Sequence, residues 1–205
     1  MNRPTERQRR ILRAAAIPAA LLASALVVWQ GSYAAFSTTT DSPSNNWASG
    51  TVALQNDSNG GAFAVSGAAA FNVANIKPGD TGSYCINVKN TGSLDATAAS
   101  PIKFFGTGPV LSTNVLAQNL TFSVVESSTA VTAGAACTGF TAGTTVFNAT
   151  MSTLGQTYAT GSGAITLVAA ATKGYKISWT MPAAAPSTAA GQTLTNVGLT
   201  WGLTI

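Results

Sequence analysis

Leu199-Thr200-Trp201-Gly202-Leu203-Thr204-Ile205 alternates large apolar residues with small or polar ones. Successive side chains of a strand point to opposite faces. This spacing therefore predicts a strand with Leu199, Trp201, Leu203 and Ile205 on one buried face. Tyr175, Ile177, Trp179 and Met181 repeat the pattern against Lys176, Ser178 and Thr180. Leu120, Phe122 and Val124 do so again, as do Tyr84, Ile86 and Val88. Shorter apolar pairs mark further strands at Val52-Leu54, Phe71-Val73, Ile102-Phe104, Val146-Phe147 and Ile165-Leu167.

Turn chemistry separates these runs. Lys77-Pro78-Gly79-Asp80 puts proline and glycine where a turn requires them, and Asn59-Gly60-Gly61, Asn90-Thr91-Gly92 and Gly106-Thr107-Gly108-Pro109 are similar. Ser112 to Asn119 predicts a short helical turn capped by Ser112 or Thr113, and Pro182 to Gly191 reads as a loop. A parallel sheet needs crossover helices, and no segment supplies them. The expected fold is all-β: a jelly-roll-like antiparallel β-sandwich of about eight or nine strands, preceded by an N-terminal signal-peptide helix.

The first 34 residues carry an address. Arg7, Arg9, Arg10 and Arg13 precede an apolar run from Ala14 to Val28. That run is shorter than the ~20 residues of a spanning helix. Ser32-Tyr33-Ala34 places small residues before a cut between Ala34 and Ala35, the pattern of a secretory signal peptide. An uncleaved membrane anchor is the alternative, and this segment is the one expected membrane contact. The expected division is a signal peptide at 1–34, an N-terminal segment at 35–46 and a sandwich domain at 47–205.

Composition excludes several functions. All five arginines lie in the first 13 residues, so the formal charge of +4 belongs to the leader. Beyond residue 34, Lys77, Lys89, Lys103, Lys173 and Lys176 balance Asp41, Asp57, Asp80, Asp95 and Glu126. A nucleic-acid surface needs clustered bases, and none is present. The chain has no histidine, the commonest metal ligand and general base near neutral pH. Charged residues make up 8% of the chain, against roughly a quarter in an ordinary soluble domain.

Several stretches, in order, resemble the TasA/camelysin family of exported bacterial matrix proteins. They are Gly31-Ser32-Tyr33-Ala34-Ala35-Phe36-Ser37, similar to the family's processing site, and Trp47-Ala48-Ser49-Gly50-Thr51-Val52-Ala53-Leu54, similar to one of its strands. Ile76-Lys77-Pro78-Gly79-Asp80 and Val88-Lys89-Asn90-Thr91-Gly92-Ser93-Leu94 resemble two of its turns, and Trp201-Gly202-Leu203-Thr204-Ile205 its last strand. From about Phe105 to Thr172 no such motif is found. The resemblance implies a jelly-roll domain that polymerises into extracellular fibres, each subunit inserting its N-terminal strand into a neighbour. Camelysin-type members are described as zinc metalloproteases. This chain has neither His-Glu-x-x-His nor any histidine, so that activity is not carried over, and no cofactor or enzymatic role is expected.

Cys85 and Cys137 predict one structural disulfide in an exported chain. Cys85 falls on the face opposite Tyr84 and Ile86, so the bridge is expected outside the main core, pinning the loop around Ala133 to Thr141. Asp80 and Asp95 sit beside turns and are expected to be local hydrogen-bond acceptors. Asp41 and Asp57 flank asparagine-rich stretches and are the acids that a calcium site would draw on, although no Asp-x-Asp loop is present. Trp47, Trp179 and Trp201 are read as core or interface residues rather than a sugar-stacking surface. The segment Ala35 to Asn46 is polar, with Phe36 its one large apolar residue. It is either a frayed terminus or a strand that completes another subunit's sheet. The assembly residues are accordingly Ala35, Phe36 and Ser37. The expected function is that of a secreted structural protein forming fibres in an extracellular matrix or on the cell surface, with itself as first partner and other matrix proteins or polysaccharide as further ones. A monomeric adhesin or carbohydrate-binding module of the same fold is the rival.

Overall fold

The computed structural model describes residues 49–205, together with Arg7 and Arg10, both exposed helical residues. The proposed cleavage site at Ala34-Ala35, the assembly residues Ala35, Phe36 and Ser37, and Trp47 lie outside the described residues.

Eight strands form two antiparallel sheets. They are β1 (Leu54–Asn56), β2 (Thr81–Asn90), β3 (Ile102–Thr107), β4 (Thr121–Ser127), β5 (Ala142–Thr150), β6 (Ser162–Ile165), β7 (Thr172–Thr180) and β8 (Gly198–Gly202). The larger sheet runs β1-β2-β7-β4-β5 and the smaller β6-β3-β8. From β2 to β3, β3 to β4, β5 to β6, β6 to β7 and β7 to β8, the chain changes sheet at each connection. The expected all-β sandwich is therefore the fold.

The alternation read from sequence becomes the interlayer core. Tyr175, Ile177 and Trp179 of β7, Phe122 and Val124 of β4, and Ile86 and Val88 of β2 are buried on one face of the large sheet. Phe104 of β3 meets them from the small sheet, 6.4 Å from Phe122 and 4.8 Å from its register partner Trp201. Trp201 in turn lies 5.2 Å from Tyr175. Each such aromatic removes on the order of 150–250 Å² from water, which makes this stack the main adhesive between the layers.

Three expectations fail. Phe71-Val73 forms no strand and instead lies as irregular chain, with Phe71 edge-on to Tyr84 at 6.3 Å. β8 ends at Gly202, and Ile205 is exposed, so the alternation outruns the strand. The short helix Val115–Asn119 is capped by neither Ser112 nor Thr113: the Asn114 side chain accepts from the Ala117 N–H at 2.9 Å.

Two of the turns behave as their chemistry requires. Gly79 has φ +94°, the left-handed value that the third position of a type II turn demands, and the Asp80 N–H donates to the Lys77 carbonyl at 3.0 Å. Asn90 is fully buried; its side chain accepts from the Gly92 N–H and donates to the Leu94 and Leu167 carbonyls. At Gly92 a Cβ would stand 2.4 Å from the Thr51 carbonyl oxygen. This missing side chain lets Thr51 to Ala53 run alongside Thr91 to Leu94. The two stretches singled out as resembling family motifs, around Gly50 and around Gly92, thus dock on each other.

The Tyr175 hydroxyl is buried with no hydrogen-bond partner among the described residues. Burial, and then the charge of Glu126, push its phenol far above the ordinary value of 10.0. Above that pH the unfolded chain releases this proton and the folded chain keeps it. Stability therefore falls as pH rises past 10, and the group contributes no pH dependence below that point. Tyr175→Phe removes both the orphan hydroxyl and this titration. The variant should equal or exceed the parent in stability at pH 7. Its advantage should then grow above pH ~10 by up to about 1.4 kcal/mol per pH unit, measured by urea unfolding across pH. An advantage that stays flat to pH 11 would refute the assignment.

Candidate functional site

The outer face of β2 is not solvent-facing, although its sequence alternates. The connection between β4 and β5, residues 128–141, folds back across it as a flap. Cys85 exchanges two backbone hydrogen bonds of 2.9 Å with Gly134 and is bonded to Cys137. Gly174 on β7 is the neighbouring contact point, where a Cβ would meet the Thr129 carbonyl at 2.9 Å and Val131 at 3.0 Å. The Lys176 ammonium lies 5.5 Å from the centre of the Phe140 ring.

Beneath the flap sits a polar cluster. Asp57 is 4% exposed, and its two carboxylate oxygens accept from the Asn87 backbone and side-chain N–H groups, both at 2.6 Å. The Asn87 amide also donates to the Val131 carbonyl at 2.7 Å and accepts from the Val131 N–H at 3.0 Å. One asparagine therefore ties together the segment after β1, the strand β2 and the flap.

The remaining acids among the described residues are each committed elsewhere. Asp80 accepts from the Lys77 N–H at 3.0 Å, a local bond as its turn position suggests. Asp95 differs from expectation: it accepts from the Ala169 N–H at 2.7 Å, seventy-four positions away in sequence. Glu126 pairs with Lys173 at 3.3 Å. Lys89 lies over Phe63 and Lys103 over Tyr158, at 5.7 and 5.6 Å. Apart from Lys77, the charged side chains of residues 49–205 thus each meet a partner within the domain.

A shallow cleft of about 460 Å³ lies between Ala70–Val73 and the start of β2, with Tyr84 and Trp179 in its lining. Trp179 is 7% exposed and lies against Gly82, where a Cβ would stand 2.5 Å from its indole nitrogen. Its ring is therefore packed on the sheet rather than offered to a sugar. Trp201 is likewise held in the aromatic core stack.

The sheet edges are the other feature. From Ser127 to Thr172, which includes β5 and β6, the chain has no charged residue and no proline. Natural edges are usually guarded by such residues. The signal was available in the sequence, but only the positions of the strands reveal that it coincides with two edges.

Residues 9–102 match the family model described as camelysin metallo-endopeptidase. Over that stretch, a little under half of the chain, the sequence is similar to camelysin. The camelysin match runs from the basic leader through the docked Gly50 and Gly92 stretches and stops at the first residue of β3. No curated protein matches the chain. The family description implies a catalytic metal. The residues present do not suit one: the chain has no histidine, Asp57, Asp80, Asp95 and Glu126 each serve a separate partner, and both cysteines are in the disulfide. Among the described residues, no three metal-binding side chains converge. No helix among them is long and apolar enough to cross a membrane.

Proposed function

We propose that this chain, similar to camelysin over residues 9–102, is an exported structural protein that assembles with copies of itself into fibres, in an extracellular matrix or at the cell surface, by donating residues 35–46 as a strand. The observation that carries the reading is the uncharged, proline-free run from Ser127 to Thr172. It leaves unguarded edges on both sheets, and an unguarded edge favours pairing with another chain. The disulfide fits an oxidising destination outside the cytoplasm. No residue is assigned a catalytic role: the chain has no histidine, and among the described residues the acids and both cysteines each have a partner. Other matrix proteins or polysaccharide are secondary partners in this reading.

Deleting residues 35–46 from the full chain, produced with its leader in an exporting bacterium, tests the proposal. The parent protein should begin at Ala35 by N-terminal sequencing and should form filaments visible by electron microscopy. The deletion should leave a folded monomer in sedimentation. A parent that stays monomeric at high concentration, or turnover of a peptide substrate by the purified protein, would sink it.

A further inference from the structure

We propose that β5, Ala142–Thr150, is the edge that receives residues 35–46 of a second copy, an inference that rests on the strand-donation reading above. The sandwich has four terminal strands: β1 and β5 in the large sheet, β6 and β8 in the small one. A donated strand gains backbone hydrogen bonds in proportion to the length of edge it meets. β1 has three residues, and its outer side is already taken where Asn56 and Ala64 exchange hydrogen bonds of 2.9 and 2.8 Å. β6 has four residues and is interrupted by Gly163 at φ +80°. β8 has five. β5 has nine.

The backbone of β5 is also aimed correctly. In an antiparallel pair, alternate residues turn their N–H and C=O toward the partner and the rest turn them outward. The Met151 N–H donates to the Leu120 carbonyl, and Thr150 lies opposite Thr121. Continuing that alternation, Ala149 and Phe147 bond to β4, while Asn148 turns its N–H and C=O outward and Thr150 its N–H, the Thr150 carbonyl accepting from the Thr153 hydroxyl at 2.8 Å. Residues 142–145 and 148–150 are exposed. β5 is about 30 Å long, which the segment 35–46 is long enough to cover; its register against β4 is regular from Phe147 to Thr150 and shifts on both sides of Thr145. Asp41 is the segment's one charged residue, and β5 carries no charge to oppose it.

The test is the pair Thr145→Lys/Asn148→Lys in the full chain, exported as above, beside the deletion of residues 35–46. Both positions are exposed, so the urea midpoint should hold while sedimentable filaments are lost. Asn148→Pro, which removes one outward N–H and adds no charge, should also reduce filament yield. Filaments that persist in the lysine and proline variants but vanish on deletion would assign another edge and overturn this inference alone. Filaments that survive the deletion would overturn strand donation itself. A dimer that survives the deletion but is lost with the lysines would mean β5 pairs with β5 of a second copy, which also overturns it. A parent that never assembles overturns both.

Discussion

Replacing Cys85 and Cys137 together by alanine is expected to lower the unfolding free energy by about 4 kcal/mol. The bond spans 52 positions, and cutting it frees a loop of that length in the unfolded chain. Alanine is the right replacement because Cys85 is fully buried, and a serine hydroxyl there would add a desolvation cost of its own. The interlayer aromatic stack lies on the other face of β2 and should be untouched, so tryptophan fluorescence of the folded variant should match the parent's. The flap should respond: amide exchange at Cys85 and Gly134, which bond to each other across it, should speed up more than exchange in β4 or β7. Reduced parent protein should reproduce the variant's urea midpoint. Identical midpoints for oxidised and reduced parent would show that the bridge does not constrain the chain.

The strands legible from sequence were those with one face on the core. Tyr175, Ile177, Trp179 and Met181 announce themselves because the other face of β7 carries Lys176, Ser178 and Thr180. β5 showed only Val146 and Phe147, because its remaining positions are threonine, glycine, alanine and asparagine, which no buried face selects. Phe71-Val73 looked like a strand because two apolar residues at spacing two suffice locally; nothing in the sequence says that no partner edge is available. The burial of Asn87 was not legible at all. It depends on a flap forty-four positions downstream and on Asp57 thirty positions upstream. The same holds for Asp95, which looked like a turn acceptor and reaches Ala169 instead. Local chemistry located the turns; polar contacts made across the fold had to be seen in it.

Asn87→Leu is the second large loss, expected at about 3–5 kcal/mol. Leucine has the branching and heavy-atom count of asparagine, so it leaves no cavity beneath the flap. What goes is the amide that donates to Asp57 and Val131 and accepts from Val131. Asp57 keeps the backbone N–H of residue 87 but is left buried with half its side-chain hydrogen bonds and no ion-pair partner among the described residues. Removing one partner of a buried polar pair costs more than removing both, because the survivor bears its full desolvation penalty. Asp57→Leu added to Asn87→Leu should therefore recover part of the loss rather than deepen it. Asn87 and the disulfide also hold the same flap from points two residues apart on β2. Their losses should not add: the triple variant Cys85→Ala/Cys137→Ala/Asn87→Leu should fall short of the sum by more than about 0.5 kcal/mol, the margin within which independent sites agree. Urea unfolding of the four proteins in that cycle measures it. Additivity within that margin would mean that each anchor acts on its own strand segment and that residues 128–141 do not move as one flap.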